Sequence, residues 1–168
     1  MKYEELDNKL LIAGNLGELK VYALYDTLTI SRQDTAQVSH KHHNGRLIER
    51  LEATQMDDEE LIAAHKKISE LVTDHAGHFE GLFGGESGED HNLENEIVHE
   101  LLKTISAEID RIVQKENKKW ILVFPRTYRK QLVGLLDAKA VDLLEKTVDA
   151  NLVKEDPYSI VEKHILKS

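Results

Sequence analysis

The sequence predicts a single α/β domain with a mixed, about five-stranded sheet and helices on both faces. Three observations carry this. The first third alternates apolar and polar residues in twos, as half-buried strands do. A long stretch repeats apolar residues at threes and fours without Pro or Gly. Trp120-Ile121-Leu122-Val123-Phe124 is a continuous apolar run stopped by Pro125, which reads as a strand buried on both faces. Antiparallel strands first, then helix and strand in alternation, argue a mixed sheet. The whole chain, 1–168, is one domain large enough to bury a real core.

The elements follow in order. Leu10-Leu11-Ile12-Ala13 is a short strand bounded by the turn residues Gly14, Asn15 and Gly17. Leu19, Val21, Ala23 and Tyr25 give a second strand, Asp26-Thr27 a turn, and Leu28-Thr29-Ile30-Ser31 a third strand. Thr35 to Arg46 is polar and reads as an edge strand or a loop. Helix signals begin near Arg46 and strengthen after Gln55. Asp57 or Asp58 can cap, and Leu61, Ile62, His65, Ile68, Leu71 and Val72 share one face of a helix ending near Thr73. Asn92 is a plausible N-cap for the long helix, whose stripe is Leu93, Ile97, Leu101, Ile105, Ile109, Ile112 and Val113. After the Trp120 strand come helices from about Thr127 to Leu136 and from about Ala138 to Lys146. A final strand carries Val148, Ala150 and Leu152. Asp156-Pro157 starts the last helix, with Ile160, Val161, His164 and Ile165 as its buried stripe.

Charge is distributed unevenly. From Ile68 to Leu102 there is no Lys or Arg but nine acids, and the chain's net charge is -9, so the remainder is balanced. At the centre of this stretch lies Gly81-Leu82-Phe83-Gly84-Gly85-Glu86-Ser87-Gly88. The acidic balance disfavours tight non-specific nucleic-acid binding, because phosphate affinity is built from Lys and Arg. No cysteine is present, which removes disulfides and thiolate metal sites. No apolar run approaches the ~20 residues of a membrane span. Met1 to Lys9 has neither a basic flank nor an apolar signal core, so no membrane partner and a cytoplasmic location are expected.

Three segments carry a resemblance. They are Leu71-Val72-Thr73-Asp74-His75-Ala76-Gly77-His78, Trp120 to Arg126 with Gln131-Leu132, and Asn151-Leu152-Val153-Lys154-Glu155-Asp156-Pro157. With them the chain resembles the bacterial host attachment protein family, relatives of the central domain of archaeal and eukaryotic class-1 peptide release factors. That resemblance implies the release-factor central-domain fold, of ribonuclease H-like topology, and a translation-associated role. In release factors a Gly-Gly-Gln tripeptide precedes the long helix and enters the peptidyl-transferase centre. Here Gly84-Gly85-Glu86 stands in the corresponding place, with Ser87 after it. An ionised carboxylate only accepts hydrogen bonds where a glutamine amide also donates, so Glu86 departs from the pattern at its functional residue.

Other candidates are weaker. His75, His78, His91 and His99 flank the acidic loop and, with Glu86, Glu89 and Asp90, have the chemistry of a Zn, Mn or Ni site, but no recognised ligand spacing appears. His40-Lys41-His42-His43 reads as a solvated turn. Arg126, Arg129 and Lys130 follow the Trp120 strand where a loop meets a helix start, a position suited to anions or RNA phosphates. The first strand offers Ala13, Gly14 and Asn15 but no acid, so two-metal nuclease chemistry lacks its central ligand. No nucleophile elbow, P-loop or dinucleotide fingerprint occurs.

The reading is a translation-associated factor that binds the ribosome or tRNA through Gly84, Gly85, Glu86 and Ser87, with no cofactor. If the loop is catalytic, Glu86 orients water at an ester carbonyl; whether the protein is an enzyme stays open. The alternatives are a protein-interaction module whose acidic face, residues 80–100, meets a basic protein partner, and a metal-dependent hydrolase.

Overall fold

The computed structural model describes residues 3–30, 47–74 and 88–166. Five strands form one mixed sheet in the order β3-β2-β1-β4-β5: β1 (Lys9–Gly14), β2 (Leu19–Ile30), β3 (Leu47–Gln55), β4 (Trp120–Phe124) and β5 (Leu144–Asp149). β1, β4 and β5 run parallel, and β2 is antiparallel to both β1 and β3. The helices are α1 (Glu59–Asp74), α2 (Gly88–Glu116), α3 (Arg126–Leu135), α4 (Ala138–Leu143) and α5 (Pro157–Ile160), the last continued by a π-type turn (Val161–Ile165). A 3-10 turn (Glu4–Leu6) precedes β1.

The expected α/β class, mixed sheet and about five strands are what the described residues adopt. Every residue of β4 is buried, as its unbroken apolar run requires. One face of the sheet packs Leu10, Ile12, Val21, Leu122 and Phe124 against Leu101, Ile105 and Ile109 of α2, Leu61 and Ile68 of α1, and Leu132 of α3. The other face sets Leu11, Tyr22, Leu24, Ile121 and Val123 against Leu6, Ile160, Val161 and Ile165. Helices therefore cover both faces, but the second cover is short.

Local chemistry sets the element ends. The Asp58 carboxylate accepts from the Leu61 N–H at 2.7 Å and starts α1. Asp156 does the same for Tyr158, with Pro157 in the first turn of α5. Asp137 accepts from the Ala140 N–H and starts α4. Asn117 stops α2 in a left-handed conformation, φ 52°, which asparagine tolerates better than most residues. Trp120 donates its indole N–H to the Ala140 carbonyl at 2.8 Å, tying the buried strand to α4.

Several boundaries differ from the sequence expectation. Asp26-Thr27 is not a turn: β2 runs unbroken through it, pairing Asp26 with Leu51 and Thr27 with Arg50. The Asp26 N–H, facing β1's side of the sheet, is met by the Asp7 carboxylate at 2.9 Å. Residues 47–55, expected to begin a helix, form β3, because β2 offers a partner strand along their whole length. α2 begins at Gly88 rather than after Asn92. α4 ends at Leu143, and β5 starts at once and closes at Asp149, so Ala150 and Leu152 lie beyond the strand. Ile62 is 56% exposed and His164 is exposed, so neither belongs to its expected buried stripe. The polar segment from Thr35 to Arg46, with His40 to His43, lies outside the described residues.

Candidate functional site

Two features share the end of the sheet where the parallel strands finish. The first is a helical arm. α2 has 29 residues, so it is about 43 Å long, whereas five-residue β4 is about 16 Å. Residues 117–119 alone link the C-terminal end of α2 to the start of β4, and Lys119 accepts from the Leu10 N–H with its carbonyl. The excess length of α2 therefore extends past the carboxyl end of β4. α1 runs antiparallel beside it. Its Asp58 meets Lys115 at 3.2 Å, and its His65 ring contacts the Leu19 carbonyl, level with Gly14 at the end of β1. The rest of α1, to Asp74, continues beyond the sheet together with α2.

A charge cluster fixes the base of this arm. Arg111 lies at 3.1 Å from Asp58 and 3.0 Å from Glu60, and also pairs with the buried Glu108. Glu108 first, and then Asp58, raise the Arg111 guanidinium well above its ordinary pKa. The Leu61 N–H, then Lys115 and Arg111, hold the Asp58 carboxyl below the usual carboxylate range. Further out, Glu96, His99 and Glu100 are exposed on α2 and line an open groove with Lys67 and Lys103. The two lysines that bracket the acidic stretch in sequence thus line one groove between the two helices.

The second feature is a polar corner at the carboxyl ends of β1, β4 and β5. Parallel sheets bind ligands at this end, where the strand connections diverge. Asn15, directly after β1, accepts from the Gly17 and Glu18 N–H groups at 2.8 Å each, and its amide donates to Asn151 at 3.2 Å. The Arg129 Nε donates to Asp149 Oδ1 at 2.8 Å, joining α3 to the end of β5. That hydrogen bond, with the charges of Arg129 and Arg126, holds the Asp149 carboxyl below its ordinary range. Arg126 and Lys130 are exposed. The corner can offer an anion two cations and asparagine amides, with Arg129 already engaged by Asp149.

The expected site residues divide accordingly. Gly84, Gly85, Glu86 and Ser87, and the weak metal candidates His75 and His78, lie outside the described residues; His91 falls within α2. Among the described residues, no group of three or more acids and histidines could hold a metal ion. Arg126, Arg129 and Lys130 do lie together at the start of α3. The sequence reading missed the bridge of Asn15 to Asn151 and the Asp149 partner of Arg129. The available signal was that all three acceptors or donors stand at strand ends, next to turn residues.

Among the described residues no helix is long and apolar enough to cross a membrane. Searches of curated proteins and of solved structures gave no match. Residues 32–164 match the family described as protein required for attachment to host cells. That match takes in both helices of the arm and the α3 side of the corner, and the chain belongs to this family.

Proposed function

We propose that the protein is a translation-associated factor, similar to the release-factor central domain, that engages the ribosome or tRNA with the end of its helical arm. The observation that carries this reading is the overrun of α1 and α2 past the carboxyl end of the sheet. The chain joining them, residues 75–87, contains Gly84-Gly85-Glu86, the place where the resemblance puts the release-factor tripeptide. Arg126 and Lys130 are exposed at the same end of the sheet. They supply the phosphate attraction that the acidic arm lacks. Glu86 in place of glutamine favours binding over peptide release.

A second reading has a specific observation in its favour. Glu96 and Glu100 are exposed on one face of the arm, as a docking surface for a basic protein would require. Ribosome co-sedimentation across a range of salt separates the two. The samples are wild type, Glu86→Gln, Arg126→Glu/Lys130→Glu, and a chain lacking residues 80–87. Salt-sensitive binding lost in both the deletion and the Arg126/Lys130 variant supports the first reading. No binding at the lowest salt, where phosphate contacts are strongest, rejects it. Cross-linking to a basic protein that Glu96→Lys/Glu100→Lys abolishes then carries the second.

A further inference from the structure

We propose that the outer edge of β3 pairs antiparallel with the same edge of a second copy, with the two-fold axis at Leu51. Among the described residues β3 ends the sheet order, so there only one of its sides meets a strand, β2. The Met56 N–H bonds back to the Val21 carbonyl, and strand alternation then turns Glu49, Leu51 and Ala53 outward with their N–H and C=O groups. The Tyr158 hydroxyl confirms that direction, because it reaches the Ala53 N–H from outside at 3.2 Å. Along this edge runs an open groove lined by Tyr3, Arg50, Leu51, Glu52, Tyr158 and Glu162.

Charge selects the occupant and the register. In antiparallel pairing, outward-facing residues meet outward-facing residues, so a two-fold axis must fall on a residue. An axis at Leu51 sets Arg50 opposite Glu52 of the second copy, and Glu52 opposite its Arg50. An axis at Arg50 sets two arginines together; one at Glu49 or Glu52 sets two glutamates together. Opposite charges directly across strands stabilise and like charges destabilise. Arg50 and Glu52 are both exposed, and neither makes an ion pair among the described residues. They are therefore available to a second strand. The Arg-Leu-Glu triplet on an open edge is thus self-complementary in one register. The Glu49 carbonyl of the second copy would take over the Ala53 N–H from Tyr158, replacing one hydrogen bond by another.

Sedimentation equilibrium on the full chain tests this, with thermal melts to check that each variant is folded. Wild type should show a concentration-dependent dimer. Arg50→Glu and Glu52→Arg should each weaken it about tenfold, since two attractive pairs become repulsive. An equimolar mixture of these two variants should associate, because glutamates on one copy then face arginines on the other. The double exchange Arg50→Glu/Glu52→Arg should also restore the dimer. Tyr158→Phe should tighten it by freeing the Ala53 N–H. A monomer at every concentration overturns the proposal. So does a dimer indifferent to the single charge changes, or one that the mixture fails to restore.

Discussion

At Gly14 the end of β1 is too close to its neighbours for any side chain. A Cβ there would lie 3.0 Å from the Glu18 carbonyl oxygen and from Leu19 Cδ1, and 3.3 Å from Phe124. Gly14→Ala should therefore lower stability by about 1–3 kcal/mol, read from the urea midpoint, as overpacking does. The same crowding fixes the turn that aims Asn15 at Asn151. Asp110 gives a prediction of opposite sign. Burial, and then the charge of Asp137, push its carboxyl above the ordinary range, while the Asp137 N–H it accepts works the other way. A carboxyl with a raised folded pKa contributes stability below its unfolded value of about 3.9, which is lost as pH rises through the folded value. Asp110→Asn keeps an acceptor for the Asp137 N–H and removes the charge. It should melt higher than wild type at pH 7, with the difference closing near pH 3. A lower melting temperature at pH 7 would refute this account.

The arm is the element whose integrity the proposed function needs, and Asp58 holds its base. It caps α1 and ties it to Arg111 and Lys115 of α2. Asp58→Ala should destabilise by about 1–2 kcal/mol through the lost cap. Asp58→Asn retains a capping oxygen and should lose less, about 1 kcal/mol or below, the worth of a partly exposed ion pair. The folded pKa of Asp58 is depressed, so its contribution is present above the unfolded value and fades as pH falls through the folded one. Chemical denaturation at pH 7 and in acid should show wild type and Asp58→Asn converging at the lower pH.

For the whole molecule, one sheet serves two cores of unequal cover. α1, α2, α3 and α4 seal one face. Ile160, Val161 and Ile165, with Leu6, seal the other over Leu11, Tyr22, Leu24, Ile121 and Val123. Each such buried aliphatic side chain contributes about 1.5–3 kcal/mol relative to exposure. Removing residues 157–168 should therefore leave a chain that binds a hydrophobic dye at neutral pH and lacks a cooperative melt. A truncated chain that unfolds in one sharp transition near the wild-type temperature would show that the second face does not need this cover.

The sequence by itself determined the elements whose signals are local. The stripe from Ile97 to Val113 makes α2, the unbroken run of β4 demands burial on both faces, and the Asp57-Asp58 pair and Asp156 announce their helices, the structure choosing Asp58. The acidic stretch between Lys67 and Lys103 and the basic group at Arg126 were equally legible, because composition and order are enough to see them. Tertiary structure decided what depends on a partner strand or on length in space. β3 reads as a helix start until β2 lies beside it, and Asp26-Thr27 reads as a turn until Leu51 and Arg50 pair with it. Asn15 and Asn151 stand far apart in the chain, and only parallel strands ending at the same edge bring their amides to 3.2 Å. Local propensity amounts to fractions of a kcal/mol per residue, so pairing and burial overrule it wherever the two disagree.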